Sequence, residues 1–190
     1  MIYKKSWKYI LVKDNSMSCI KYNFYRIKSV KNFSNISENE IGGYIQHYYN
    51  LSQFGKCWVY DNAQVSGSAR VYDDAKVYDK AKVLCRSQVF GNARISKDVE
   101  ISDDSKVFGK AIVTDRAFVW GSAQVSGNAS IQDNAMIFNN AIVKGNTKVT
   151  VSAQVYGDAH ISGNSEITEY VEIGGKLKIK DRKVSKGIHK

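Results

Sequence analysis

The stretch VYDNAQVSGSARVYDDAKV, Val59 to Val77, decides the fold. An aliphatic residue stands at Val59, Val65, Val71 and Val77, and the six-residue step continues through Val83, Val89, Ile95 and Ile101 to Ile173 and Ile179. All twenty-one positions hold Val or Ile and the register never slips. Four residues after most of them comes a small residue, as at Ala63, Ala69, Ala75, Ser87, Ala111 and Ala159. Two residues after them comes Gly, Asp or Asn in seventeen of the twenty-one. Those three types tolerate positive φ, so each hexad reads as a short strand followed by a sharp corner. One large and one small inward side chain per side suit a narrow triangular core. Three sides make a coil of eighteen residues, and stacking at strand spacing gives about seven coils and a rod of about 33 Å. The fold class is all-β, with residues 57–181 forming the rod.

Residues 1–56 lack the repeat. Trp7 to Lys13 and Ile20 to Val30 are rich in Tyr, Ile, Val and Phe, with Asp14-Asn15-Ser16 between them, which predicts a β-hairpin. A loop with a helical turn is expected over 32–40, then a tight turn or close backbone contact at Gly42-Gly43. A repeat rod leaves its first coil with an open edge, and residues 1–56 are the candidate β-rich cap for it. Residues 182–190 read as a basic tail.

The net charge of +10 is carried by the ends. Residues 1–56 hold nine Lys/Arg against three acids and residues 176–190 seven against one, so the rod between is close to neutral. Basic ends are compatible with nucleic acid, yet equally with solvated surface, and nucleic acid is not the favoured partner. Cys19, Cys57 and Cys85 have no metal-ligand spacing, and Cys57 falls on an inward position. The apolar run Tyr9 to Val12 is too short for a signal peptide core or a membrane span. The expectation is a cytoplasmic protein that does not engage the membrane, with reduced thiols.

The hexad resembles that of the hexapeptide-repeat, left-handed parallel β-helix superfamily, whose coils depart from the usual right-handed crossover. A narrower resemblance lies in Tyr25-Arg26-Ile27-Lys28, Ile41-Gly42-Gly43-Tyr44-Ile45, Asn50-Leu51-Ser52 and Cys57-Trp58-Val59-Tyr60. That order, followed by Ala-x-Val-x-Gly units, looks like bacteriophage and prophage hexapeptide-repeat proteins often labelled transferases. The resemblance implies a left-handed helix, a trimer, and a phage protein acting in the host cytoplasm. It does not carry an activity, because fold is not function.

The transferase label is testable on residues. Members of the superfamily with acyltransferase activity resemble one another in a loop extruded between coils, a histidine base and an acyl-donor groove between subunits. An unbroken register leaves no room for the loop. His47 precedes the repeat and His189 ends the chain, so His160, beside Ile161 and pointing outward, is the runner-up catalytic base. No histidine set has the spacing of a metal site. Asp61, Asp79, Asp115 and Asp133 share a corner, but Asp is a standard corner residue and Lys97 interrupts the column. No metal and no cofactor are expected.

Function is therefore sought on the outer faces. One face gathers Phe118, Trp120, Met136, Phe138 and Tyr156 in adjacent coils, an apolar patch expected to serve self-association. A second gathers Arg70, Tyr72, Phe90, Lys106 and Phe108, where rings interleave with cations as a nucleotide or other small anion requires. The same column also fits an aromatic ladder that stabilises coil stacking. Trp58, Tyr60, Lys76 and Tyr78 on the third face are expected to pack beneath the cap. The reading is a non-catalytic, phage-type binding protein that engages a host protein or a nucleotide-like ligand, with antagonism of bacterial anti-phage defence as its setting. An acyltransferase acting through His160 and a purely structural assembly protein are the alternatives.

Overall fold

A computed structural model describes residues 7–14 and 23–190. It is a left-handed parallel β-helix of about 8 turns with an N-terminal cap. Each hexad contributes one short strand to one of three parallel sheets. Face 1 holds Gln64–Val65 and its successors to Glu172–Ile173. Face 2 runs from Arg70–Val71 to Lys178–Lys180, and face 3 from Trp58–Val59 through Glu166–Ile167 to Lys183–Val184. Strands pair eighteen residues apart, as in Val107 with Val125 and Ile101 with Val119.

The hexad explains the coil residue by residue. From Val59 to Ile173 every aliphatic is fully buried, and so are the alanines four positions on. Ser87, Ser105, Thr147 and Ser165 take the small position in four hexads. Each buried hydroxyl donates to the carbonyl three residues earlier, for example Ser87 to Leu84 at 2.6 Å, so no polar group is stranded there. The third residue of every hexad, Asp61 through Asp181, sits at φ between 50° and 80°. The corner aspartates also tie one coil to the next: Asp79 Oδ2 accepts the Lys97 N–H at 2.8 Å, and Asp73, Asp103 and Asp133 accept likewise eighteen residues ahead.

The cap is a three-stranded antiparallel meander, β1 (Tyr9–Lys13), β2 (Tyr25–Ser29) and β3 (Ile41–Ile45), which extends face 1. β3 then pairs parallel with Gln64–Val65. Gly42-Gly43 therefore lies in a strand, not a tight turn. A Cβ on Gly43 would stand 2.6 Å from both the Ala63 carbonyl oxygen and Val59 Cγ1, so close approach to the first coil is what requires glycine. The helical turn expected over 32–40 is absent; a bridge between Phe33 and Ile36 closes a turn there. The predicted turn at Asn15-Ser16, the start of the second predicted strand and Cys19 lie outside the described residues.

Cap and rod share one core. Trp58 occupies an outward position on face 3 yet is fully buried, with Phe33 and Tyr9 edge-on to its ring at 5.4 and 6.1 Å. Tyr60 and Lys76 both hydrogen-bond Asn35, as expected for a cluster beneath the cap. Lys8 is buried as well, its ammonium donating to the Cys57 carbonyl at 2.9 Å and to Cys57 Sγ at 3.2 Å. Burial holds the Lys8 pKa below its ordinary value and pushes the Cys57 thiol up. Arg26 lies over the Tyr44 ring at 4.0 Å and donates to the Gly42 and Asp61 carbonyls, which fixes β2 against the first coil.

Two departures mark the ends. Winding begins at Ile45 on face 1 and Leu51 on face 2, before Val59, because Leu51 bridges Val71 and Tyr44–Ile45 pairs with Gln64–Val65. At the other end residues 182–190 carry strands, with Ile167 opposite Val184 and Ile173 opposite His189. The final coil is thus shorter than those below it. Among the described residues no helix is long and apolar enough to cross a membrane.

Candidate functional site

The aromatic residues of the outer faces form three columns of stacked rings. On face 2, Tyr72, Phe90 and Phe108 lie parallel, with centroids 4.8 Å apart and planes within 4°. On face 1, Trp120, Phe138 and Tyr156 stack at 4.6 and 5.2 Å. On face 3, Tyr60 stacks on Tyr78 at 4.4 Å. Each separation is close to the strand spacing, because rings eighteen residues apart inherit the rise of the coil. The ladder foreseen as the structural alternative for Tyr72, Phe90 and Phe108 is present, and the same stacking recurs on faces 1 and 3.

Stacking has a consequence for binding. A ring between two others has both faces covered and shows only its edge, so Phe90 and Phe138 offer no platform to a ligand. Only the end rings keep a free face. The top of the face 1 column is closed: Tyr156 lies so near Gly174 that a Cβ there would stand 2.5 Å from the ring. At its lower end, Phe118 packs edge-on to Trp120, and Phe118 is 36% exposed while Trp120, Met136, Phe138 and Tyr156 are half-buried. The five residues lie together on face 1, where the rings cover much of their own apolar area.

The lower end of the face 2 column is open. The Leu51–Val71 bridge and the Ser52 N–H to Val71 carbonyl bond put Ser52 at the rung below Tyr72. Serine leaves that rung empty. A groove of about 400 Å³ lies there, lined by Tyr49, Ser52, Arg70, Val71, Tyr72 and Gln88. Tyr49 comes from the single-turn 3-10 helix Tyr48–Asn50, is 51% exposed, and stacks against His47 at 4.9 Å. That helix is held in place by Asn50, whose amide donates to the Gly67 and Ala69 carbonyls at 3.0 and 2.8 Å. The Tyr72 hydroxyl donates to Gln88 Oε1 at 3.1 Å, which leaves the Gln88 amide nitrogen as a donor at the groove. Burial raises the Tyr72 pKa, so the phenol is a neutral donor at physiological pH.

Face 2 also differs from the others in charge. Its strands place Arg70, Gln88, Lys106, Gln124, Ile142, His160 and Lys178 in one outward column. The parallel column runs Tyr72, Phe90, Phe108, Ser126, Lys144, Ser162 and Lys180. Neither contains an acid, whereas face 1 presents Glu100 and Glu172 and face 3 presents Glu166. Arg70 makes no ion pair among the described residues. Of the sequence-predicted ligand residues, the structure brings Arg70 and Tyr72 to the groove and places Phe90, Lys106 and Phe108 farther along the same face. Sequence reasoning missed Tyr49 and Ser52.

His160 stands half-buried between Ile142 and Lys178, with no carboxylate neighbour on its face to orient the ring. The corner carboxylates are engaged in hydrogen bonds and ion pairing: Asp61 and Asp79 accept backbone N–H groups, and Asp115 pairs with Lys97, which lowers its pKa. Among the described residues no three His, Cys, Asp or Glu side chains gather as a metal would require.

Geometry thus defines a class, the parallel β-solenoid of stacked eighteen-residue coils. No protein-family model matches the chain, and no curated protein matches it.

Proposed function

We propose that the protein is a non-catalytic binding rod that holds a small anionic ligand on face 2. The observation that carries this reading is the groove at Tyr49, Arg70, Tyr72 and Gln88, set at one end of a face whose two outward columns hold cations and no acids. Polar groups converging on an aromatic wall are what a small-molecule site needs, and the volume is in the range of such sites. The resemblance to phage proteins gives this activity a setting, in which the protein withdraws a host signal nucleotide or blocks a host protein as an antagonist of defence. The test is denaturation of the purified protein followed by mass spectrometry of released small molecules, with calorimetric titration of an anion panel. Recovery of no anion, and no heat from the panel, would end the reading. Acetyl transfer from a thioester donor that is lost in His160→Ala would replace it with an enzyme.

A second surface accompanies the first. Phe118, exposed beside Trp120 and Met136, favours self-association through face 1. A trimer, as the superfamily resemblance implies, places three copies of face 2 around the assembly.

A further inference from the structure

Three aromatic columns run along the rod, and the lower end of the face 2 column opens onto a groove lined by both an aromatic side wall and a cation. Tyr72 has Phe90 parallel to one face at 4.8 Å and 4°. Its other face looks along the rod axis toward Ser52, where any ring in the same register would be the next rung. The coil geometry therefore fixes both the plane and the height of what fits, a flat ring lying parallel to Tyr72 at the spacing that the column already uses. Tyr49 flanks that space from the 3-10 helix, and Arg70 and the Gln88 amide stand at its solvent side.

We propose, building on the reading of face 2 as an anion-binding surface, that the vacant rung beneath Tyr72 is a subsite for a planar heterocycle bearing a phosphate. The ligand completes the column: its ring stacks on Tyr72, Tyr49 closes the side, and its phosphate meets the Arg70 guanidinium. Base–aromatic stacking is tolerant of base identity because every base has a π-face, so selectivity among bases falls to the Gln88 amide nitrogen, a donor that favours a carbonyl or ring-nitrogen acceptor. A guanidinium suits the phosphate because it forms paired hydrogen bonds to two oxygens. Lys106 and Lys144, farther along the face, lie where additional phosphates or a second nucleotide would extend.

The decisive variant is Ser52→Tyr, which supplies the missing rung from the chain itself. It is expected to abolish binding of nucleoside monophosphates in calorimetry. Arg70→Ala weakens a monophosphate about tenfold or more but leaves the matching nucleoside unchanged, while Tyr72→Ser weakens both. Tyr72→Phe keeps the stack and restores most of the affinity. Phe108→Ser, at the far end of the same column, leaves binding intact. The probes are adenosine, guanosine and uridine 5′-monophosphates, the free nucleosides, inorganic phosphate and a single-stranded oligonucleotide. Monophosphate binding that persists in Ser52→Tyr, or that is lost in Phe108→Ser instead, overturns the subsite while leaving face 2 an anion surface. Inorganic phosphate bound as tightly as the monophosphates removes the stacking component and overturns it too. An oligonucleotide bound equally by wild type and Ser52→Tyr does the same, because it shows the face reading a polyanion rather than a ring. No heat from any probe, with no anion released from the purified protein, removes the anion surface itself.

Discussion

Phe90 is sandwiched between two rings and Phe108 touches one, and that difference isolates the energy of a single stacked pair. Leucine in place of either keeps an apolar outward side chain and deletes the ring. Phe90→Leu loses the contacts to Tyr72 and to Phe108, both at 4.8 Å, whereas Phe108→Leu loses only the contact to Phe90. Aromatic pairs contribute roughly 0.5–1.5 kcal/mol beyond area burial, so the first variant costs about 1–3 kcal/mol from stacking and the second about half of that. The general penalty of leucine against phenylalanine on a strand is common to both and cancels in the difference. Urea denaturation followed by circular dichroism gives the two midpoints, and amide exchange of Val89 and Val107 shows whether the loss is local, as nearest-neighbour coupling in a repeat rod requires. Phe90→Leu should be the less stable by about 0.5–1.5 kcal/mol. Equal midpoints would mean that stacking contributes nothing net, and the columns would need another reason to exist.

Val151 is a β-branched residue at φ 64°, where its hexad calls for Gly, Asp or Asn; Val151→Asn should stabilise by about 1 kcal/mol, read as a rise in denaturation midpoint. Burial depresses the Lys8 pKa below 10.5, so between that lowered value and 10.5 the unfolded chain binds more protons than the native one. Stability attributable to Lys8 therefore rises with pH across that window. Because the raised Cys57 thiol gives the opposite slope above 9.0, the comparison is made in a Cys57→Ala background, where Lys8→Met should flatten the profile below pH 10.5. An unchanged slope would refute the assignment. Phe118→Asp, which leaves the Trp120–Phe138–Tyr156 column in place, should lower the mass seen in light scattering from that of the proposed oligomer to that of a monomer; an unchanged mass would refute the proposal of self-association through face 1.

The rod was legible because its inward side chains obey one count. Val59 through Ile179 keep a strict period, and the corners announce themselves by Gly, Asp and Asn. What escaped the sequence lies where that count changes phase. Ile45 and Leu51 are themselves six residues apart, a usable signal of an earlier first coil, but eight residues separate Leu51 from Val59 and the register from Val59 back does not meet them. Gly42-Gly43 reads as a turn by composition, whereas the strand there needs glycine because the Val59 and Ala63 backbone is pressed against it. At the far end the pairing offset shortens after Asp181, so residues that look like a basic tail find partners on faces 3 and 1. The site was half legible: an eighteen-residue period put Tyr72, Phe90 and Phe108 in one column. That the rings would cover one another's faces follows from stacking geometry, and Tyr49 belongs to a non-repeating segment with no period to reveal it.

Six and eighteen play different parts in this chain. An insertion of eighteen residues lengthens the rod by one coil and leaves every face as it was. An insertion of six turns everything beyond it by one face. Trp120 stands twelve residues after Phe108, one hexad short of the rung directly above it, and Phe138 and Tyr156 keep the same phase. A single additional hexad between Phe108 and Trp120 would swing the second column into line with the first and join six rings on one side. The patch proposed for self-association and the groove proposed for a ligand therefore point in separate directions by the count of one hexad, and a small indel is enough to merge or part them.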